Sequence, residues 1–242
     1  MTEPKDRIIA ALDVETESDA RSLIAELNGR VGAFKIGLQL FTAAGPGFVR
    51  EIVESGNRVF LDLKFHDIPN TVAKAAVEAA RLGVWMFNVH AIGGSEMMSR
   101  AAGEMTEVCE REGLARPKLI AVTVLTSSDA NGLRETGIES DVGKQVIRLA
   151  RLAQESGLDG VVASPLESSM IRENVGDKGF LIVTPGIRPA FATNDDQKRV
   201  TTPGEALSNG SDYIVIGRPI TAAKDKADAV NRICEEIETA CQ

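Results

Sequence analysis

Apolar and polar positions along this chain switch repeatedly between two periods, and the switching predicts the architecture. Short apolar runs rich in β-branched residues fall at 7–12, 33–37, 59–63, 86–89, 119–124, 160–162, 180–183 and 213–216, each of strand length. Between them lie stretches with helical spacing of apolar residues, at 18–27, 47–55, 71–82, 95–112, 141–156, 166–174, 203–208 and 219–238. Glycine follows several of these, as at Gly29, Gly56, Gly83, Gly113, Gly157 and Gly210, where a C-terminal helix cap would place it. Eight strands, each followed by a helix, predict a parallel sheet with helical crossovers; a (β/α)8 barrel has about 250 residues. A doubly wound open sheet would carry a glycine-rich turn after its first strand. Here that turn is Leu12-Asp13-Val14-Glu15-Thr16, without glycine. The expected fold is therefore an α/β barrel, and with no linker or low-complexity segment a single domain covers 1–242.

Composition narrows the function classes. The 242 residues, 43% hydrophobic and 26% charged, are ample for one large core. A net charge of −8 lacks the basic footprint of a nucleic-acid binder, while leaving room for a local basic pocket that takes an anionic small molecule. No apolar run reaches membrane-spanning length, and the opening residues Met1 to Asp6 lack the basic and apolar regions of a signal peptide. Cys109, Cys234 and Cys241 are odd in number and show no C-x-x-C spacing, so neither a disulfide framework nor a zinc site is expected, and a reducing cytoplasm fits. No metal-ligand cluster or dinucleotide fingerprint stands out, and no cofactor is expected.

The chemistry concentrates in Asp62-Leu63-Lys64-Phe65-His66-Asp67, followed by Ile68-Pro69-Asn70-Thr71. Asp62 and Lys64 are two residues apart on the third strand, so alternation directs them to one face, roughly 6–7 Å apart along the chain. Charges on the inward face of an apolar strand are costly unless compensated. Asp-x-Lys alone also fits a structural ion pair. The third acid, Asp67, sits just past the C-terminal end of the strand, where α/β folds keep their chemistry, and this favours a functional role. Pro69 suits the first turn of the next helix.

The other strand ends converge on the same mouth if the barrel closes. Lys35 lies inside the apolar run of the second strand, and since a barrel has no edges it needs an acidic partner, with Asp62 on the neighbouring strand the obvious one. The first strand ends in Asp13, the fourth in Asn88-Val89-His90, and the fifth leads into Leu125-Thr126-Ser127-Ser128. His90 fits a hydrogen-bonded structural histidine as well as a functional one, and alternation turns His66 away from its charged neighbours. Thr184-Pro185-Gly186-Ile187-Arg188 follows the seventh strand and Ile216-Gly217-Arg218-Pro219 the eighth, opening the last helix. That is where this fold binds phosphate, through backbone N–H groups and charge-assisted arginine bonds. The polar loop 190–202 between them has the size of a lid.

The run from Asp62 to Thr71 resembles the signature of the bacterial orotidine 5′-monophosphate decarboxylases. The similarity continues, in family order, through Ala11-Leu12-Asp13, Phe34-Lys35-Ile36-Gly37, Val124-Leu125-Thr126, the Thr184–Arg188 segment, Gln197 and Ile216-Gly217-Arg218-Pro219. D-x-K-x-x-D alone is shared with sugar-phosphate decarboxylases and aldolases; the D-I-P-x-T extension and the paired phosphate loops narrow it. The resemblance implies loss of CO2 from orotidine 5′-monophosphate to give uridine 5′-monophosphate, without metal or organic cofactor, in de novo pyrimidine synthesis. It implies that Lys64 protonates the C6 carbanion, that Asp62 pairs with Lys35 and Lys64, and that Asp67 faces the substrate carboxylate. It also implies that Asp13 and Lys35 hold the ribose and Thr126 the pyrimidine. Arg188, Gln197, Gly217 and Arg218 would hold the phosphate, with Ile68 and Pro185 as further substrate contacts. Asp67 and Thr71 would reach the partner's site in a homodimer. Two competing readings are a magnesium-dependent ketose-phosphate decarboxylase or aldolase and a non-catalytic pyrimidine-nucleotide binder. The first would place another acid near Asp62, where this chain has Lys35. Against the second stands the complete Asp62, Lys64 and Asp67 set.

Overall fold

The computed structural model of the chain describes residues 3–139, 141–176, 179–192 and 201–240. Eight strands form: β1 (Ile8–Ala11), β2 (Ala33–Gly37), β3 (Val59–Phe65), β4 (Met86–His90), β5 (Lys118–Val122), β6 (Gly160–Val162), β7 (Leu181–Thr184) and β8 (Tyr213–Ile216). Each pairs in parallel with the next, and β8 returns to β1, so the sheet is a closed barrel, as expected.

Two apolar layers hold it together. Residues on the outer strand face pack under the helices, and those on the inner face fill the lumen with Ile9, Ala11, Ala33, Phe60, Met86, Ile120, Val183 and Val215. Each large side chain so buried contributes about 1.5–3 kcal/mol. The period of two then decides where charge can sit. Two residues beyond Ala33, Phe60 and Met86, on the same inward face, come Lys35, Asp62 and Asn88. The lumen is thus apolar through its middle and polar at the C-terminal ends of β2, β3 and β4. Its other end is fastened differently. Asp159 and Asp212, just before β6 and β8, accept from the strand N–H groups of Leu119 and Ile182 and pair with Arg116 and Arg172.

The described helices are α1 (Glu17–Leu27), α2 (Leu38–Glu54), α3 (Pro69–Arg81), α4 (Gly94–Glu112), α5 (Ala130–Glu135), α6 (Val142–Glu155), α7 (Ser168–Val175), α8 (Pro203–Ser208), α9 (Arg218–Thr221) and α10 (Lys226–Ala240). Three depart from the sequence expectation. The stretch ahead of the helix expected at 47 is itself helical from Leu38; at Gly45 (φ 72°, ψ −177°) the helical path breaks in a kink, and the expected helix follows from Pro46. The short α5 was not expected; Asp129 caps it by accepting from Asn131 and Gly132 N–H. The stretch 219–238 divides into α9 and α10, because Asp225 accepts the N–H of Asp228 and starts a new helix. No helix among the described residues is long and apolar enough to cross a membrane.

Candidate active site

The reactive part of the lumen is built on an irregular stretch of β3. Its ladder with β4 runs Phe60 to Met86 and Leu61 to Phe87, then resumes at Phe65 with Val89, so β3 advances four residues while β4 advances two. Lys64 lies in this bulge with a φ of 52°, the one non-glycine residue at positive φ among those described. Asp62 and Lys64 do meet, with Lys64 Nζ 2.6 Å from Asp62 Oδ1. They meet across a bulged backbone, not along a plain pleat.

Asp62 is the hub. Its Oδ1 accepts from Lys64 Nζ and, at 2.7 Å, from Asn88 Nδ2, while Oδ2 lies 3.5 Å from Lys35 Nζ. Burial, with 13% of the side chain exposed, pushes the Asp62 carboxyl up; the charges of Lys35 and Lys64 and the bonds from Lys64 and Asn88 outweigh it and hold the acid below its ordinary value. Lys35 is buried, and its nearer partner is Asp13 Oδ1 at 2.9 Å, not Asp62. The partner expected on the neighbouring strand β3 is present as well, at 3.5 Å. The nearer one comes from the other side, where Ala11 stands beside Lys35 across β1–β2 and brings the following loop, and Asp13 with it, over the lysine.

Asn88 is the residue sequence reasoning overlooked. It is 1% exposed, and its signal was available: it occupies the inward position of β4 between Met86 and His90. The ring of His90 lies 5.7 Å from that of His66. Burial, then the nearby His66 and Lys64, lower the His90 pKa against the pull of Asp62, so the imidazole favours its neutral form.

Two cavities adjoin this cluster, and a third is lined by residues that follow β7 and β8. One of about 240 Å3 is lined by the polar Lys35, Asp62, Lys64 and Thr126 and by apolar residues that include Phe60, Val122, Val124, Val162, Pro185 and Val215. A second, of about 150 Å3, shares the two lysines and Asp62 and adds Asp13, Gly37 and Gln39. The third, about 500 Å3, contains Arg188 and Arg218 with Phe191, Lys224 and Arg232. Gly217 stands over the end of β1: a Cβ placed there would lie 3.7 Å from both Ala11 Cβ and Asp13 Oδ2. The Gly217-Arg218-Pro219 turn opens the single-turn α9, not the long last helix as expected.

The base of the loop after β7 is pinned at several points. Ile187 bridges to Thr201, Arg188 N–H donates to the Thr201 carbonyl, Arg232 lies 4.0 Å over the Phe191 ring, and Ala190 N–H donates to Glu236. Gln197, the middle of the expected lid, and Cys241 lie outside the described residues.

Asp67, Ile68 and Thr71 line none of these cavities and are exposed at the start of α3. Ile68 is 67% exposed, with Leu38 at 57% and Ile92 at 50%. These three follow the ends of the adjacent strands β3, β2 and β4. Among the described residues no three His, Cys, Asp or Glu side chains converge as a metal site would need.

A closed (β/α)8 barrel with lysines, carboxylates and arginines gathered at the C-terminal ends of its strands is the architecture of a barrel enzyme. Comparison with known proteins makes this specific. The chain belongs to the orotidine 5′-phosphate decarboxylase / HUMPS family, whose model matches residues 6–233. It is 53% identical over 242 residues to the orotidine 5′-phosphate decarboxylase of Syntrophotalea carbinolica, covering all of this chain and 99% of that one. It is 55% identical over 233 residues to that of Geobacter sulfurreducens, covering 96% of each. The crystal structure of the orotidine 5′-phosphate decarboxylase from Lactobacillus acidophilus superposes with a TM-score of 0.84 at 41% identity, over 95% of this chain and 98% of that one.

Proposed function

We propose that this chain is a catalytic domain spanning 1–242 that converts orotidine 5′-monophosphate to uridine 5′-monophosphate and CO2, as its relatives' names describe for them. The observation that carries the proposal is the Lys35–Asp62–Lys64 cluster on the wall of a cavity whose other lining residues are mostly apolar. Loss of CO2 leaves an electron pair on C6 of the pyrimidine, and the ammonium group of Lys64 answers that charge. Lys64, steered by Asp62, stabilises that charge and then gives C6 a proton. Lys35 and Asp62 are already paired in the free protein, so little reorganisation is needed when charge develops.

The remaining roles follow the cavities. The pyrimidine occupies the apolar cavity against Thr126 and Pro185, and the ribose lies toward Asp13 and Lys35. The phosphate reaches Gly217, Arg218 and Arg188, with Gln197 closing over it. Phosphate binding far from C6 then supplies binding energy that closes the site around the reacting carbon. Asp67 and Thr71 act across a homodimer interface, Asp67 facing the substrate carboxylate of the partner's site, and Ile68 between them is a further substrate contact. Their exposure at α3, beside Leu38 and Ile92, supports that reading. A cytoplasmic location suits such a biosynthetic step.

The test is the absorbance change of orotidine 5′-monophosphate on adding purified protein, with and without EDTA. Conversion to uridine 5′-monophosphate that ignores EDTA is expected. A folded protein that leaves this substrate untouched but acts on a ketose phosphate with magnesium would overturn the proposal.

A further inference from the structure

Asn88 has work to do that neither its strand nor a ligand explains. In a regular parallel pair a β3 N–H would donate to a β4 carbonyl, but between Leu61 and Phe65 that ladder is interrupted. The N–H of Lys64 donates instead to Asn88 Oδ1 at 2.8 Å. The other end of the same carboxamide donates to Asp62 Oδ1, the oxygen that also takes the Lys64 ammonium. One side chain therefore closes a ring through the main chain of Lys64, its Nζ and the Asp62 carboxylate. A buried carboxamide costs free energy unless it is bonded, and an apolar side chain would fill this lumen position at less cost. Asn88 is fully enclosed, and it lines none of the three cavities.

We infer that Asn88 is a positioning residue. It holds Lys64 in its left-handed backbone conformation and turns the Asp62 carboxylate toward the lysine, so that the ammonium stands where charge develops. The inference rests on the decarboxylase reading of the site. The charged groups facing Asn88 are Asp62 and Lys64 from β3, with Lys35 of β2 behind Asp62 and His90 two residues further along β4; its β5 neighbour, Ile120, is apolar.

The experiment compares Asn88→Ala and Asn88→Asp with the wild type in kcat and KM across pH, alongside uridine 5′-monophosphate binding and thermal unfolding. For Asn88→Ala, kcat is expected to fall about a hundredfold, as an ångström-scale misplacement does, with KM little changed. Asn88→Asp keeps size and the acceptor for Lys64 N–H. Its carboxyl can replace the donor to Asp62 only when protonated, because two carboxylates at hydrogen-bond distance cannot both ionise. Its kcat relative to wild type should therefore rise as pH is lowered, a change that a merely structural residue would not produce. Wild-type kcat in Asn88→Ala, or a pH profile of Asn88→Asp parallel to wild type, overturns the inference. Should Asn88→Ala not fold, the isosteric variant carries the test. Wild-type protein without decarboxylase activity would refute the functional reading alone. The crystal structure of Asn88→Asp at high pH then decides: Lys64 Nζ drawn away from Asp62 supports the inference, and an unmoved Lys64 overturns it.

Discussion

Replacing Asp62 by asparagine keeps its shape and removes the one charge that separates Lys35 from Lys64. At the observed 2.6 and 3.5 Å, and an effective dielectric of about 20, the two attractions amount to roughly 6 and 5 kcal/mol before desolvation is subtracted. Desolvation removes much of this, and Asp13 continues to hold Lys35 at 2.9 Å, so the lower end of the usual cost of breaking a buried pair applies, about 3 kcal/mol. The pH dependence has a definite sign. The folded-state pKa of Asp62 is depressed, so its contribution is complete above the unfolded value of about 3.9 and is lost as pH falls through the folded value. Urea unfolding of wild type and Asp62→Asn, at one protein concentration and at several pH values from 7 down to 3, should show a gap that is largest at neutral pH and narrows below about pH 4. Equal midpoints at pH 7, or a gap that does not change with pH, would refute the role of Asp62 as the buried counter-charge.

Other perturbations separate the parts of the site. Arg218→Ala should weaken uridine 5′-monophosphate binding by about 1.5–3 kcal/mol through loss of charge-assisted bonds and leave uridine binding unchanged; calorimetry showing equal losses for both would remove Arg218 from phosphate binding. Lys64→Ala should abolish turnover while retaining nucleotide affinity, and near-normal kcat would end its assignment as proton donor. If Asp67 acts across a dimer, mixing inactive Lys64→Ala with inactive Asp67→Ala should restore about a quarter of the wild-type activity, since half the dimers then carry one intact site. Mixtures as inactive as their parents would place Asp67 within its own subunit's site.

Much of this molecule was legible because barrel strands are simple objects. Their apolar runs have a length and a period that survive tertiary packing, and all eight appear within two residues of the expected ends. The strand-end charges were legible for the same reason, since an inward Lys35 or Asp62 breaks an apolar pattern and demands a partner. What periodicity could not supply was geometry between elements. The Asp13–Lys35 contact depends on the register of β1 against β2, and at Gly45 the helical path does break, so what the pattern leaves unread there is the short helical stretch ahead of the kink. Asn88 was passed over for a third reason: an uncharged polar residue beside a histidine draws little notice until its two hydrogen bonds are seen.

The bulge at Lys64 has a consequence for stability that can be separated from its charge. A φ of 52° lies in the left-handed region, where a residue with a Cβ meets its own carbonyl at a cost of about 1–2 kcal/mol. Glycine escapes that cost but loses more backbone entropy on folding, roughly 0.5–1 kcal/mol relative to alanine. Lys64→Gly and Lys64→Ala both delete the ammonium and its bond to Asp62, so their difference reports the backbone alone. At an ordinary strand position alanine would be the more stable variant. At this one the two terms oppose each other, and glycine should win by about 0.5–1 kcal/mol. Urea midpoints of the two variants measure the difference directly. If alanine is the more stable, the chain at Lys64 is not strained, and the lysine is placed by its side-chain contacts to Asp62 without help from the backbone. If glycine is, the fold stores strain at the residue proposed to donate the proton, and the Asn88 hydrogen bond to its N–H is what keeps that strain in place.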